Sequence, residues 1–199
     1  GRYLFYKPSM ILALKYIGAL SENPWQMGTG LSSIVCVDNH HTYKRYLKSG
    51  VHENKLRVVG DVSYDAIFEA DKNKDKVKKD IISKYNLDHN KKIIICALPQ
   101  LYEHNVLDYD DHWLEIEFLV EKITCLEENT LLSLHPKMNR HEYQYLQSKF
   151  NCKIIDEKLN EVLIISDLFM ATFSSTIIWT VLCGIPSIIF DFYELNYDM

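Results

Sequence analysis

The chain has 199 residues, of which 47% are hydrophobic, so it can bury one sizeable core. A net charge of -5 argues against nucleic acid as a partner, because proteins that bind the phosphate backbone carry an excess of Lys and Arg. No apolar run reaches the roughly 20 residues that a membrane helix needs. The five cysteines are widely spaced and form no CxxC pair, which indicates reduced core residues, a cytoplasmic location and no metal centre.

The first third of the sequence predicts two helices and two strands. A helix is expected over 9–19, a strand over 33–37, a helix over 42–49 and a strand over 55–59. Gly28-Thr29-Gly30 marks a loop, which lacks the following Lys of a phosphate-binding loop. Residues 1–66 are interpreted as the closing part of an N-terminal domain with its linker. The sequence begins without Met, and we expect it to be part of a longer protein.

Residues 67–199 are interpreted as a second domain in which apolar strands and helices alternate. Strands are expected over 93–98, 130–134, 152–155, 168–172 and 187–190, and helices over 110–125, 139–150, 160–165 and 176–183. This order predicts an α/β fold, a Rossmann-like parallel sheet with helices on both faces. The strand that begins at Ile93 is expected at the centre, because the chain winds outward from it in both directions. The absence of a GxGxxG motif argues against a NAD enzyme.

Two short motifs, His135-Pro136 and Ser174-Ser175, each follow one of these strands. Ligands of open parallel sheets bind just beyond the carboxyl ends of the strands, so both motifs are expected at one edge of the sheet. An imidazole and the hydroxyls of Ser174, Ser175 and Thr176, at the start of the next helix, suit a phosphate. Each motif also has a purely structural interpretation, since Pro favours a turn and Ser is a common helix N-cap.

Further polar residues are weaker candidates. Glu103 and His104 lie in the loop after the strand that begins at Ile93, where they would contact a donor or an acceptor, although polar loop residues are commonly just solvated. Lys137 would add positive charge beside His135, as would the nearby Arg140, unless they only begin a solvated helix. Glu194 and Tyr197 follow the last strand and would contact the transferred group or its phosphate, unless they belong to an ordinary terminal loop.

The motifs occur in an order that resembles a known family. Gly60-Asp61 and Tyr64-Asp65 come first, Leu134-His135-Pro136 follows, and the runs 166–175 and 184–190 come last. This set resembles the C-terminal nucleotide-binding domain of GT-B glycosyltransferases, over roughly residues 56–197. Among bacterial surface-polysaccharide enzymes it is similar to CDP-glycerol glycerophosphotransferases and sialyltransferases, which share a His-Pro and a later Ser-Ser motif.

In those families both motifs contact the phosphates of a cytidine nucleotide donor. The resemblance therefore implies that His135, Ser174, Ser175 and Thr176 bind the donor phosphate, and that His135 also assists the departure of the nucleotide. It implies a transferase of cell-surface polysaccharide synthesis that needs no cofactor beyond its nucleotide-activated substrate. The partners would be a nucleotide-sugar or CDP-glycerol donor and a glycan or lipid-linked acceptor, with peripheral membrane association of the full-length protein. The general base would lie in another domain, so the chain alone is expected to be inactive.

Two other interpretations stay open. UDP-N-acetylglucosamine 2-epimerases share the strand-loop-helix layout, but they usually show Ser-Gly-Gly followed by an acidic residue that holds the ribose. Here the helix after Ser175 begins Thr176-Ile177-Ile178-Trp179-Thr180, without a carboxylate. The same absence favours a non-catalytic nucleotide-binding module as a further alternative.

Overall fold

The chain folds into two units, residues 1–62 and residues 63–199. The computed structural model describes residues 7–20, 23–24 and 32–190, so the Gly28-Thr29-Gly30 loop lies outside the described residues. The described elements of the first unit are α1 (Pro8–Tyr16), β1 (Val35–Val37), α2 (His40–Lys48), a short 3-10 helix (Glu53–Lys55) and β2 (Leu56–Val58). β1 and β2 pair in parallel, and Val37, Val51 and Leu56 form a small core beside them.

The second unit contains five strands and seven α-helices among its described residues. The strands are β3 (Ile93–Ala97), β4 (Asn129–Ser133), β5 (Cys152–Ile154), β6 (Leu168–Ala171) and β7 (Ser187–Ile189). The helices are α3 (Ser63–Lys72), α4 (Lys74–Tyr85), α5 (Tyr109–Thr124), α6 (Arg140–Tyr143), α7 (Tyr145–Lys149), α8 (Leu159–Val162) and α9 (Ile177–Leu182). All five strands are parallel, in the order β5-β4-β3-β6-β7. The predicted α/β fold with β3 at its centre is confirmed.

The central strand β3 is buried on both faces. Successive side chains of a strand point to opposite faces, so Ile93 and Ile95 enter one apolar cluster while Ile94 and Cys96 enter another. The first cluster also contains Ile81, Leu131, Leu163 and Phe169, and the second contains Ile116, Val120, Leu132 and Tyr143. This two-sided burial explains why β3 appears in the sequence as an unbroken apolar run, which is typical of parallel sheets.

Two predicted helices differ from the observed ones. The helix expected over 139–150 is two short helices, α6 and α7, that meet at Gln144. The helix expected over 160–165 is α8 followed by a 3-10 helix, Leu163–Ile165, whose three side chains are all buried. Three consecutive residues of a helix point to different sides, so the burial of all three means that this segment is surrounded by protein.

The cysteines form a buried pair and an exposed pair, with Cys183 half-buried between these extremes. Cys96 and Cys152 are buried, as the sequence suggested, and burial raises the pKa of the Cys96 thiol to about 12 and that of Cys152 to about 11. Cys36 and Cys125 are exposed, so the expectation of core cysteines is wrong for these two. No helix among the described residues is long and apolar enough to span a bilayer.

Asn129, at the start of β4, anchors the turn that leads into β3. Its side-chain oxygen accepts from the backbone N–H of Asp88 at 3.0 Å, and its amide donates to the Asp88 carbonyl at 2.7 Å and the Lys91 carbonyl at 3.3 Å. The side chain is nearly buried, at 9% exposure, so few water molecules are able to replace these bonds.

We expect Asn129→Ala to lower the free energy of unfolding by about 1–3 kcal/mol, because it removes three hydrogen bonds of a nearly buried side chain. Denaturant titration with a two-state fit measures this loss. Asn90→Ala is the matched control, since Asn90 is exposed in the same turn. An equal effect of the two substitutions would contradict the role given to Asn129.

Candidate functional site

The carboxyl ends of β3, β4, β5 and β6 open onto one cleft of about 650 Å³. The chain leaves β3 toward β4 on one side, and β6 lies on the other, so the cleft lies where the strand order reverses. Crevices of this kind are the usual ligand sites of open α/β sheets. His135, Ser174, Ser175 and Thr176 all line it, which brings both predicted motifs together. Their assignment to phosphate stays a prediction.

His135 is exposed at the end of β4, in a turn closed by the Met138 N–H, which donates to the His135 carbonyl at 2.9 Å. The turn interpretation of His-Pro is therefore compatible with a binding role. The backbone N–H of Lys137 donates to His135 Nδ1 at 3.1 Å. Because Nδ1 acts as an acceptor, the neutral ring carries its proton on Nε2, which remains available as a donor to a ligand.

Three neighbouring charges act on His135. Partial desolvation by the surrounding atoms lowers its pKa most although the side chain reaches solvent, the charge of Lys137 and the proximity of His104 lower it further, and the carboxylate of Glu103 raises it. The net effect is a pKa below the ordinary value, so the ring is mainly neutral at pH 7. An anion bound beside it would raise the pKa again and favour the protonated form. Lys137 thus acts on the site through its charge.

The two serines of the second motif differ in their hydrogen bonds. Ser174 Oγ lies 2.6 Å from Thr176 Oγ1 and accepts from the Thr176 N–H at 3.2 Å, so Ser174 organises the turn that leads into α9. The N-cap interpretation is wrong, because Thr176 is the N-cap residue of α9 and no side chain of the described residues caps this helix, whereas Ser174 stabilises the preceding turn. Ser175 is exposed in the cleft, and its hydroxyl has no hydrogen-bond partner among the residues described. It is the hydroxyl of this motif that is available to a ligand.

The loop after β3 reaches the rim of the cleft. Gln100 lines the cleft directly, and the ring of His104 lies 6.1 Å from that of Phe173, which also lines it. Glu103 is half-buried and accepts a hydrogen bond from the hydroxyl of Tyr143 at 3.1 Å. Glu194 and Tyr197 lie outside the described residues.

The segment after β5 contributes residues that the sequence analysis missed. Asp156 and Glu157 line the cleft, together with Lys158 and Asn160. Arg140, which also lines it, donates to the carbonyls of Ile154 and Ile155 at 2.9 Å each and pairs with Asp156 at 2.7 Å. Arg140 therefore holds the end of β5 in place as well as supplying charge. The signal was present in the sequence, since polar residues follow this predicted strand as they follow the others.

Glu157 is anchored from the outside of the cleft by α4. Lys84 Nζ lies 2.5 Å from Glu157 Oε1, and the hydroxyl of Tyr85 donates to Glu157 Oε2 at 2.7 Å. These bonds outweigh burial and lower the pKa of the Glu157 carboxyl, while the same ion pair raises the pKa of Lys84. At the β5 end of the cleft, the carboxylates of Asp156 and Glu157 are thus held in place by Lys84 and Arg140, whose positive charges offset theirs. Within the described residues, no group of three or more His, Cys, Asp or Glu side chains is placed to hold a metal ion.

Comparison with known proteins shows the fold. No family model and no curated protein matches the chain. Among solved structures it is similar to the wall teichoic acid polymerase TagF, with TM-score 0.57, 18% identity and coverage of 83% of this chain and 40% of that one. It is also similar to UDP-GlcNAc 2-epimerase from Neisseria meningitidis bound to UDP-GlcNAc, with TM-score 0.59, 16% identity and coverage of 80% and 44%.

A third similar structure is UDP-GlcNAc 2-epimerase from Methanocaldococcus jannaschii in complex with UDP-GlcNAc and UDP, with TM-score 0.56, 19% identity and coverage of 86% of this chain and 51% of that one. The chain therefore spans about half or less of each protein it matches. At these identities the likeness shows the fold alone. The resemblance to the GT-B fold is confirmed at that level.

The buried His112, beside the cleft, makes the free energy of unfolding depend on pH. Burial lowers its pKa, although Glu103 and Glu142 act in the opposite direction. In the unfolded chain His112 is protonated near the ordinary pKa of about 6.5, whereas in the folded chain it is protonated only at a lower pH. The contribution of His112 is thus fully present above about pH 6.5 and is lost as the pH falls toward the lower folded pKa.

We expect the free energy of unfolding to fall between about pH 7.5 and about pH 5.5, and His112→Gln to reduce this fall. Denaturant titrations at the two pH values measure the difference within each variant, so a general loss of stability in the variant does not affect the comparison. His89→Gln serves as the exposed control. If His112→Gln and the unsubstituted protein lose equal stability on acidification, the inference about His112 is wrong.

Proposed function

We propose that this chain is the donor-nucleotide-binding part of a cytoplasmic glycosyltransferase or glycerophosphotransferase of cell-surface polysaccharide synthesis. Its substrates would be a nucleotide-activated sugar or CDP-glycerol and a glycan or lipid-linked acceptor. The observation that carries the proposal is the shared cleft, in which His135 after β4 and Ser175 after β6 each present a hydrogen-bond donor. The GT-B fold supports the class of enzyme. The general base and peripheral membrane association are assigned to other parts of a full-length protein.

Phosphate chemistry suits these two donors. The Nε2–H of His135 and the hydroxyl of Ser175 would each donate to a phosphate oxygen, from opposite sides of β3. In sugar transfer the bond from the sugar carbon to the phosphate oxygen breaks, and in glycerophosphate transfer the P–O bond between the two phosphates breaks. In both cases the acceptor oxygen forms the new bond and gives its proton to the general base, while the electron pair of the broken bond stays on the departing nucleotide, whose negative charge grows. Donors already in place stabilise that charge more in the transition state than in the ground state, which is electrostatic catalysis.

The nucleoside would lie at the β5 end of the cleft. The helix after Ser175 lacks a carboxylate, but Asp156 and Glu157 line the cleft from another strand. Carboxylates accept hydrogen bonds from the paired hydroxyls of a ribose. Asp156 and Glu157 would thus take the place of the acidic residue that is missing after Ser175. The absence of that residue is then no longer a reason to interpret the chain as a non-catalytic nucleotide-binding module.

A second candidate function is that of a UDP-N-acetylglucosamine 2-epimerase-like enzyme. The similarity to the Neisseria meningitidis epimerase favours it. The two candidates differ in the expected base, because the transferase motifs resemble those of cytidine nucleotide enzymes and the epimerase uses a uridine nucleotide.

Calorimetric titration with CMP, CDP, UDP, CDP-glycerol and UDP-GlcNAc tests the function. We expect binding of at least one of these ligands, with an increase in apparent melting temperature that grows with ligand concentration. Preference for cytidine supports the transferase, and preference for uridine supports the epimerase-like alternative. Binding of none of them would overturn the proposed function.

His135→Ala and Ser175→Ala should each weaken nucleotide binding by about 1–3 kcal/mol, the range for losing a hydrogen bond to a charged group. Their melting temperatures without ligand should change little, because both side chains are exposed. His89→Ala and Ser83→Ala are matched controls on exposed positions away from the cleft. A variant that unfolds easily but keeps its affinity would mark its residue as structural.

Affinity for CDP-glycerol should rise as the pH falls from about 8 toward about 6, because protonated His135 binds the diphosphate more strongly. The phosphates of this ligand are diesters and do not titrate in that range, so the pH dependence reports on the protein. His135→Gln should flatten the profile measured by calorimetry. An unchanged slope in His135→Gln would show that another group titrates.

A further inference from the structure

A buried chain of hydrogen bonds connects α5 and α6 to the loop after β3. The backbone N–H of Tyr102 donates to His112 Nδ1 at 3.3 Å, which leaves the proton of the neutral ring on Nε2. That nitrogen lies 2.8 Å from the hydroxyl of Tyr143, which in turn donates to Glu103 Oε1 at 3.1 Å. Each donor in this series of hydrogen bonds therefore directs its proton toward the carboxylate of Glu103.

The direction of these bonds is fixed at neutral pH. His112 and Tyr143 are each 1% exposed. Burial lowers the pKa of His112, and burial together with the nearby carboxylate of Glu103 raises the pKa of Tyr143 well above its ordinary value. His112 thus stays neutral and Tyr143 keeps its proton, so the hydroxyl remains a donor and Glu103 Oε1 remains an acceptor.

The second oxygen of Glu103 has no such partner. Glu103 Oε2 is buried without a hydrogen bond in the described part of the chain, and so is Gln100 Oε1 on the same loop. Gln100 lines the cleft, and the charge of Glu103 acts on the imidazole of His135. Two buried acceptors without donors are costly unless an ordered water molecule or a ligand supplies the donors, and a ligand hydroxyl supplies them in the same way as water.

The missing donors define the chemistry of the ligand group. A phosphate at neutral pH offers only acceptor oxygens, so it does not pair with Glu103 Oε2 or Gln100 Oε1. A hydroxyl offers a donor, and the group joined to the phosphate of a nucleotide-activated polyol or sugar carries several. The loop would therefore bind the part of the donor molecule that adjoins the phosphate.

We propose that Glu103 and Gln100 form a subsite for the hydroxyls of the transferred group, and that His112 and Tyr143 are positioning residues that hold Glu103 in place. The proposal rests on the proposed function, because it places this subsite beside a bound donor phosphate. Two parts of the cleft would then bind two different parts of the donor molecule. His135 and Ser175 bind the phosphate, and the loop after β3 selects for hydroxyls.

A matched pair of ligands tests the subsite. The glyceryl and propyl esters of CDP, and the same two esters of UDP, differ only in the two hydroxyls of the ester group. The ratio of their dissociation constants, measured by calorimetry, isolates the contribution of the hydroxyls from that of the nucleotide and phosphates. We expect the glyceryl ester to bind about tenfold or more tightly, as for a hydrogen bond to a charged acceptor.

Glu103→Gln and Tyr143→Phe should bring this ratio close to one while affinity for the propyl ester changes little. Loss of the Tyr143 hydroxyl alone would lower stability, but a purely structural role would leave the ratio unchanged. Glu142→Gln is the control, because it removes a nearby exposed negative charge and leaves the hydrogen-bond chain intact.

The outcomes separate the two proposals. Binding of both esters with a ratio near one in the unsubstituted protein, or with a ratio that Glu103→Gln and Tyr143→Phe leave intact, overturns the hydroxyl subsite and leaves the proposed function standing. Binding of neither ester overturns both. Loss of the ratio in Glu142→Gln as well would assign the effect to general charge and would also overturn the subsite.

Discussion

The burial of β3 on both faces is the constraint on which the rest of the second unit depends. Ile93 through Cys96 are at most 3% exposed, so the register of this strand is fixed by apolar packing above and below it. Its two neighbours are fixed in turn, since Ala97 pairs with Ser133 of β4 and with Ala171 of β6. The three strands therefore end at the same level. With about 4.8 Å between adjacent strands, the loops after β4 and β6 begin roughly 10 Å apart.

In this geometry the hydrogen-bond donors and acceptors of the cleft follow different strands. Donors follow the strands that flank β3, namely His135 and Ser175. Acceptors follow β3 itself and the outer strand β5, at Gln100 and Glu157. A nucleotide-activated molecule has the complementary distribution, with acceptor phosphates between a ribose and a transferred group that both carry hydroxyls. The order of the strands thus provides a pattern of donors and acceptors that suits such a molecule.

The apolar pattern was sufficient to predict the sheet, because β3, β4 and β6 are buried runs with turn residues after them. It was also sufficient to place His135 and Ser175 at one edge. It did not reveal the contact between Glu103 and Tyr143, which are 40 residues apart and meet where the loop after β3 lies beside α6. Nor did it separate Ser174 from Ser175, since the turn conformation and not the residue type decides which hydroxyl bonds within the turn and which stays exposed.

The reactivity of the buried Cys96 thiol reports transient opening of the fold around β3. A thiol reacts as the thiolate, and a pKa raised to about 12 leaves almost none of that form in the folded state. Cys125, in contrast, is exposed to solvent at the end of α5. Alkylation of Cys125 therefore proceeds in the native protein, whereas alkylation of Cys96 requires that β3 leave its place between the two apolar clusters. The labelling rate of one residue at the centre of the sheet thus reports how often the layers of this unit separate.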